Sequence, residues 1–586
     1  MEGPISDQRV ARRTCRSAAI TVALRNAAVL MFLILSALQA ARPLHLDNMD
    51  FPALAQAISE SGIPIYYRGE DNPRHIGIYH PPLYAYTLAA WVKVFGRGAV
   101  PVRLFGVICA LILAWTTILT YRTLFGRAEA ARVAPWFWVI FLLNPYTLES
   151  AAIADIDTSI YGPLLVLFLW SILRLSWRDG EWRVDDPSWP EMLLPAGIML
   201  LCLWAKLTTI ILLVPFSLIL LFGRFRLRRA LAITALVNLL GTLSFLISYR
   251  FFGWLTHLDT NYTFAFTWMS FTQRGSSGNP GIYNRLLDRI GNLQTMLPIT
   301  VTWTGLVPWL ALAVELPRRA ILALNGRDKR SEHYSYLLGI AALTFVYYCS
   351  QVMTFGHAPF KYTFVFWGLA LWPLAVWAAE CNFTVRNNAL IGSAVLCVFL
   401  FLGFYKIRDY VVMRGFSEIW ALEYWAVGAL FCVSIGLFEY RPKLGISRWL
   451  LIVALAAYVG TQFGVAALQA RAPYSTTYDY GQTGFEDTVA FVRTTTGPDD
   501  VIVSMKDIGF SAERRYIENY SGLYGDEVAT RHLTDAIASG KVKLIIFTEG
   551  FGQDQLIVNP RLQSWIDQHC SRIGAIGNYR LYRFDR

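Results

Sequence analysis

Blocks of about 20 apolar residues recur along the chain with short polar loops between them, and a helix of that length crosses the roughly 30 Å hydrocarbon core of a bilayer. Such blocks lie near 18–40, 101–121, 133–152, 158–175, 191–205, 207–223, 230–252, 296–315, 334–355, 361–379, 388–405, 419–438 and 449–470. The pattern predicts a polytopic α-helical membrane protein with about 13 transmembrane helices. The first block follows Arg9, Arg12, Arg13 and Arg16 but exceeds the length of a signal-peptide core, so it reads as an uncleaved first helix with a cytoplasmic N-terminus. The stretch 191–223 sets the register, because one span there instead of two would invert every later loop.

Two loops on the predicted external side are long, near 42–100 and 253–295, and long loops tend to carry function. In the first, Asp50 can cap an amphipathic helix that runs from Phe51 to Ser61 and stops at Gly62, ahead of Pro64. A second amphipathic stretch, Leu83 to Phe95, follows His80-Pro81-Pro82. Both are expected to lie at the membrane surface. After 470 the pattern changes. Thr483 and Glu486 have capping-box spacing before a helix to Thr495, Val501–Ser504 and Lys543–Phe547 read as buried strands, and Tyr579–Phe584 alternates like an edge strand. The expected organisation is a membrane module over 1–470 and a small soluble α/β domain over 471–586.

Composition agrees with this reading, since 16% of residues are charged against roughly 25% in soluble domains, and the mean hydropathy is +0.40. The net charge of +11 does not indicate nucleic acid, because the Arg and Lys residues collect in loops on one side of the apolar blocks, around 122–132, 174–183, 224–229, 318–330 and 441–448. That bias marks topology and leaves the C-terminal domain outside the cell membrane. Seven of the eight cysteines fall in or beside apolar segments without CxxC spacing, and Cys570 alone lies in the tail, so neither an intradomain disulfide there nor a zinc site is indicated.

Three groups of residues could carry chemistry. Asp47 and Asp50 follow the first span, where a carboxylate could take a proton from an acceptor hydroxyl or hold a metal, while the bland alternative is helix capping. Glu149, Asp155 and Asp157 border the third and fourth spans, a costly position unless they face a polar cavity or a cation; the alternative is solvated acids in a short loop. Two residues apart, Asp155 and Asp157 diverge on a helix, so at most one faces a site, and Asp157, directly ahead of the fourth span, is preferred. Lys206 is a lone cation in 30 apolar residues, at a helix break, suited to an anionic phosphate unless it snorkels at a tight turn. Lys361 and Arg103 fall at the same external level. His257 and Asp259 could bind a cation, but ordinary loop polarity is the favoured explanation.

In their order along the chain, Asp47-Asn48 with the helix to Gly62, His80-Pro81-Pro82-Leu83-Tyr84, Glu149 through Asp157, Lys206-Leu-Thr before Pro215, and Lys361-Tyr362 resemble the GT-C class of glycosyltransferases. Within that class they resemble in particular the protein O-mannosyltransferase (glycosyltransferase family 39) and lipid A aminoarabinose transferase branch. That family usually has an Asp-Glu pair in the first external loop, where this chain has Asp47-Asn48, which weakens any metal-binding role for the pair.

The resemblance implies an inverting transfer of sugar from a polyprenyl-phosphate donor to a hydroxyl of a lipid, glycan or protein acceptor. Asp47 would orient or deprotonate the acceptor, Lys206 with Lys361, Arg103 and Tyr362 would bind the lipid phosphate, and Asp157 or Asp155 would complete the acidic side. Asp50, His80 and Glu149 would lie on the acceptor and loop side. No cofactor is implied with certainty, and room is left for a divalent cation. The expected location is a bacterial inner membrane with the C-terminal domain periplasmic or extracellular. A transporter would carry internal repeats and mid-membrane charges, neither of which is found. A mere membrane anchor leaves Lys206 and the long loops unexplained. A ligase or polymerase acting on pyrophosphate-linked glycans is the nearest enzymatic alternative.

Overall fold

The computed structural model describes residues 5–42, 44, 50–64, 80–96, 98–272, 306–326, 329–351, 362–380, 445–471, 484–518, 527–548 and 559–585. They divide into two compact units, one of Met1–Ala40, Leu104–Ser248 and Thr267–Ala472, the other of Ala41–Arg103, Tyr249–Phe266 and Pro473–Arg586. The helices are α1 (Ile5–Ala40), α2 (Asp50–Ser61), α3 (Leu83–Phe95), α4 (Ala99–Phe125), α5 (Arg127–Leu142), α6 (Pro145–Ala152) and α7 (Gly162–Ser176). After a short hairpin, β1 (Trp177–Arg178) and β2 (Glu181–Trp182), come α8 (Trp189–Ala205), α9 (Ile210–Phe222), α10 (Leu227–Thr256) and α11 (Asn261–Thr272). Then follow α12 (Leu306–Leu324), α13 (Lys329–Gln351), α14 (Trp367–Glu380) and α15 (Gly445–Arg471).

Among the described residues four helical stretches are long and apolar enough to span a bilayer: Val22–Ala40, Ala99–Phe125, Asp157–Ser176 and Leu227–Thr256. On α10, Leu239, Leu243, Ile247 and Trp254 are exposed, a surface that suits lipid and not water. The spans expected near 388–405 and 419–438 lie outside the described residues. The span expected over 133–152 is two helices, because Asn144 precedes Pro145 and is held extended, with its side chain capping the amide of Tyr146 at 2.9 Å.

The first unit gathers four of the basic loops at one end. Asp179 and Gly180 both have positive φ, the requirement of a tight two-residue hairpin turn, which Asp-Gly signals in the sequence. This hairpin packs on the last turn of α4, through Gly180 N–H to Thr123 O (3.0 Å) and Trp177 Nε1 to Leu124 O (2.6 Å). Arg224, just after α9, donates to the carbonyls of Leu175 and Asp185, and Arg229 pairs with Asp186 at 2.8 Å. His333 of α13 lies against the rings of Trp177 and Trp182. So α9 returns to the end from which α8 starts, and 191–223 is a hairpin reversing at Lys206, as the two-span reading requires.

In the second unit α2 and α3 lie against each other, with Phe51 edge-on to Tyr84 at 4.7 Å and Leu54, Ala55, Leu88 and Ala89 buried. The C-terminal part holds α16 (Phe485–Thr495), β3 (Val501–Ser504), α17 (Lys506–Ala512), β4 (Arg515–Glu518), α18 (Glu527–Ala538), β5 (Val542–Thr548), α19 (Pro560–His569), β6 (Cys570–Ile576) and β7 (Tyr579–Phe584). The sheet order is β4-β3-β5-β7-β6, parallel over the first three strands and antiparallel beyond. One face packs Val503, Ile545, Phe547 and Tyr582 under α18 and α19; the other packs Ile502, Ile546 and Leu581 against α16 and α17.

One expectation for this part changes. Tyr579–Phe584 is an interior strand, because β6, whose exposed positions hide its pairing, covers its outer side. Thr483 lies outside the described residues, and α16 is preceded by Gly484 with no side-chain cap. Gly484 has φ +88, and a Cβ there would stand 2.7 Å from the carbonyl oxygen of Ile576. Burial, then the nearby Asp585 charge, pushes the Cys570 thiol up to about 11, so it is no nucleophile at neutral pH.

Small residues let helices of the first unit touch backbone to backbone, as membrane helices require in the absence of a hydrophobic drive between them. A Cβ at Gly106 on α4 would fall on the carbonyl oxygen of Ala151 on α6, whereas one at Gly339 on α13 meets open space. Gly106→Val is expected to destabilise by about 3 kcal/mol and Gly339→Ala by less than about 0.5 kcal/mol. Melting of the purified protein in detergent checks both; equal midpoints for the two variants would contradict the close approach of α4 and α6.

Candidate functional site

The end of the first unit opposite the basic loops carries three buried acids and a buried lysine. Glu149, on the short helix α6, is 3% exposed, and Asp155 and Asp157 beyond it are 4% and 1% exposed, which excludes solvated acids in a loop. The chain leaves α6 at Ile153 in an extended conformation and re-enters helix as a π turn over Asp157–Tyr161, a form frequent at functional sites. Asp155 Oδ1 accepts the amide of Asp157 at 3.0 Å, and the hydroxyl of Thr158 bonds to the carbonyl of Ile153 at 3.0 Å. Asp155 therefore shapes the turn while Asp157 faces a partner.

That partner is Lys206. Its residue is the extended link (φ −154, ψ 110) between α8 and a 3-10 turn over Leu207–Thr209, and its carbonyl accepts the amide of Thr209 at 3.1 Å. Its Nζ lies 2.6 Å from Asp157 Oδ1 and 2.7 Å from Oδ2, with both side chains nearly inaccessible. The lysine read as a lone cation is thus an ion-pair partner, and its burial rules out snorkelling. The centroids of two tyrosine rings, Tyr362 at 4.8 Å and Tyr161 at 5.6 Å, stand around the ammonium, in reach of a favourable cation–π interaction. Tyr161 was not singled out from the sequence, although its place four residues after Asp157 puts the two on one helix face.

The other expected residues distribute as follows. Asp47, Asn48 and Lys361 lie outside the described residues. Arg103, on α4 in the second unit, is buried and donates through Nη2 to the carbonyl of Arg42 at 3.1 Å. In the same unit Asp50 opens α2, and His80 is half-buried ahead of α3. Asp259 caps α11, accepting the amide of Asn261 at 2.8 Å, in keeping with ordinary loop polarity. Among the described residues no group of three His, Cys, Asp or Glu side chains comes together to hold a metal ion.

No family model and no curated protein matches the chain. Solved structures do. ArnT from Cupriavidus metallidurans, a lipid A aminoarabinose transferase crystallised with undecaprenyl phosphate, matches with a TM-score of 0.58 at 14% identity, over 96% of this chain and 98% of that one. The Archaeoglobus fulgidus oligosaccharyltransferase, solved with zinc and sulfate, matches with a TM-score of 0.51 at 14% identity, over 96% of this chain and 73% of that one. The chain therefore has the GT-C fold over nearly its whole length, and with its long apolar helices it is a multi-pass membrane protein carrying a small C-terminal sheet domain.

A buried ion pair is fragile to the loss of one partner, because the survivor keeps its charge in an apolar setting. Lys206→Met is expected to destabilise the protein by about 3–5 kcal/mol, and the double replacement Asp157→Leu/Lys206→Met to recover most of that loss. Thermal unfolding in lipid nanodiscs reads this, and a double variant as unstable as the single one would argue against direct pairing.

Proposed function

We propose that this protein is a glycosyltransferase that moves a sugar from a polyprenyl-phosphate donor to an acceptor hydroxyl on the extracytoplasmic face of a bacterial inner membrane. The observation that carries the proposal is the buried Asp157–Lys206 pair with Tyr362, held at the end of a GT-C bundle away from its basic loops. Under this reading those loops are cytoplasmic, as is the N-terminus, and the domain from 471 is periplasmic or extracellular.

In the proposed reaction the acceptor oxygen attacks the anomeric carbon and inverts it. The bond between that carbon and the phosphate oxygen breaks, its electron pair stays on the phosphate, and the hydroxyl proton passes to the carboxylate of Asp47. Lys206 answers the charge growing on the leaving phosphate by shifting hydrogen bonds to it from Asp157, electrostatic stabilisation of a kind commonly worth several kcal/mol. Tyr362 and Lys361 border the phosphate, Arg103 assists, and Asp157 keeps the ammonium aimed between turnovers. Glu149 and Asp155 frame the acidic side, and Asp50 and His80 belong to the acceptor loop. The acceptor is a lipid, a glycan or a protein.

The likeness to an oligosaccharyltransferase favours a second reading, transfer from a pyrophosphate-linked glycan. The released lipid separates the two, being a monophosphate in the first case and a pyrophosphate in the second. With a matching polyprenyl-phosphate sugar, Asp47→Asn is expected to lower transfer at least 10²-fold, an order of magnitude taken from general-base catalysis, while the melting midpoint stays put. Normal turnover by that variant would remove Asp47 from the reaction.

A further inference from the structure

The helix α6 has eight residues, all buried, and is too short to be stable alone. It is nonetheless the segment that delivers the chain to Asp155 and Asp157, so whatever holds α6 also sets the position of the acid that meets Lys206. Polar side chains hold it on three sides. From α1, Gln39 Nε2 donates to the carbonyl of Leu148 at 2.8 Å. From the segment that carries Tyr362, Thr363 and Trp367 bond to Tyr146 (2.6 Å) and Thr147 (3.1 Å). From α15, Tyr458 Oη and Gln462 Oε1 accept from Asn144 Nδ2 at 3.3 and 3.2 Å.

The second grip closes a circuit. It runs from α6 through Thr363 to the neighbouring Tyr362, on to the Lys206 ammonium, across to Asp157 and back to α6. The third grip enters from outside that circuit. Tyr458 and Gln462 are one helical turn apart on α15, so both face Asn144, which is itself the cap of α6. All three side chains are buried, where each hydrogen bond is stronger than in water and costly to leave unmade. A shift of α15 would displace the cap of α6 and, through only two residues of extended chain, the Asp155–Asp157 turn.

We infer that Tyr458 and Gln462 are positioning residues for the Asp157–Lys206 pair, acting through Asn144. The inference rests on the glycosyl-transfer reading, and the two fail differently. If the wild-type protein transfers no sugar from any polyprenyl-phosphate donor, that reading falls. The positioning role is tested separately by Gln462→Met, which keeps the side-chain volume and loses the acceptor, and by Tyr458→Phe, which keeps the ring.

The expected result, at a temperature where both variants remain fully folded, is a fall in kcat of about tenfold or more, as small misplacements of reacting groups produce, with the donor KM within about twofold of wild type. Amide exchange over residues 153–158 should quicken in the same variants, a readout that needs no turnover. Wild-type kcat together with wild-type exchange at 153–158 overturns the inference. So does a loss of transfer that only tracks a lower melting midpoint, since that assigns the pair to stability alone.

Discussion

Two opposite charges that cannot reach water must stay together, and in this chain that requirement falls on Asp157 and Lys206. Neither residue sits in the middle of a regular helix. Lys206 occupies the single extended residue where α8 ends, and Asp157 opens a π turn after a stretch pinned by Asp155 and Thr158. Both irregularities free the backbone to aim a side chain at one point. The rings of Tyr161 and Tyr362 then surround the ammonium with polarisable surface that repels it less than aliphatic carbon would.

The rest of the first unit can be understood as support for that point. Lipid gives helices no hydrophobic reason to associate, so close backbone contact and buried hydrogen bonds carry the packing. Gly106 lets α4 approach α6. At the other end Glu315 joins α12 to α14, accepting from Arg319 at 3.0 Å and from Trp377 at 2.9 Å. Beside it Tyr121 and Trp372 stack 4.1 Å apart, fastening α4 to α14. A frame tied this way holds the two ends in fixed relation.

How much of this was legible in the residues depended on the range of the interaction. Apolar periodicity and block length are local signals, and they placed α2, α3, α7 and the break at Lys206 closely. The charge bias of loops also survives translation into space, since four of the basic loops meet. The pairing of Lys206 with Asp157 joins positions 49 residues apart on separate helices, and no local pattern records it. The same holds for the grip of Tyr458 and Gln462 on Asn144. In the tail, β6 was missed because an outermost strand need not alternate, and its absence made β7 look like an edge. Asp179-Gly180 is a hairpin signal in the sequence, but its flanking runs are only two residues each, too short to show strand periodicity.

The hairpin of α8 and α9 bears on the membrane itself. Its arms, Trp189–Ala205 and Leu207–Phe222, have 17 and 16 residues, which at 1.5 Å per residue reach about 25 and 24 Å, less than the roughly 30 Å of an average hydrocarbon core. Arms that short can reach a headgroup region only where the bilayer is thinned around them. Acyl-chain length in the host membrane thus becomes a physical variable of the site. A thicker bilayer would leave the Lys206 turn below the level at which a phosphate headgroup rides, and a thinner one would bring the two to the same depth.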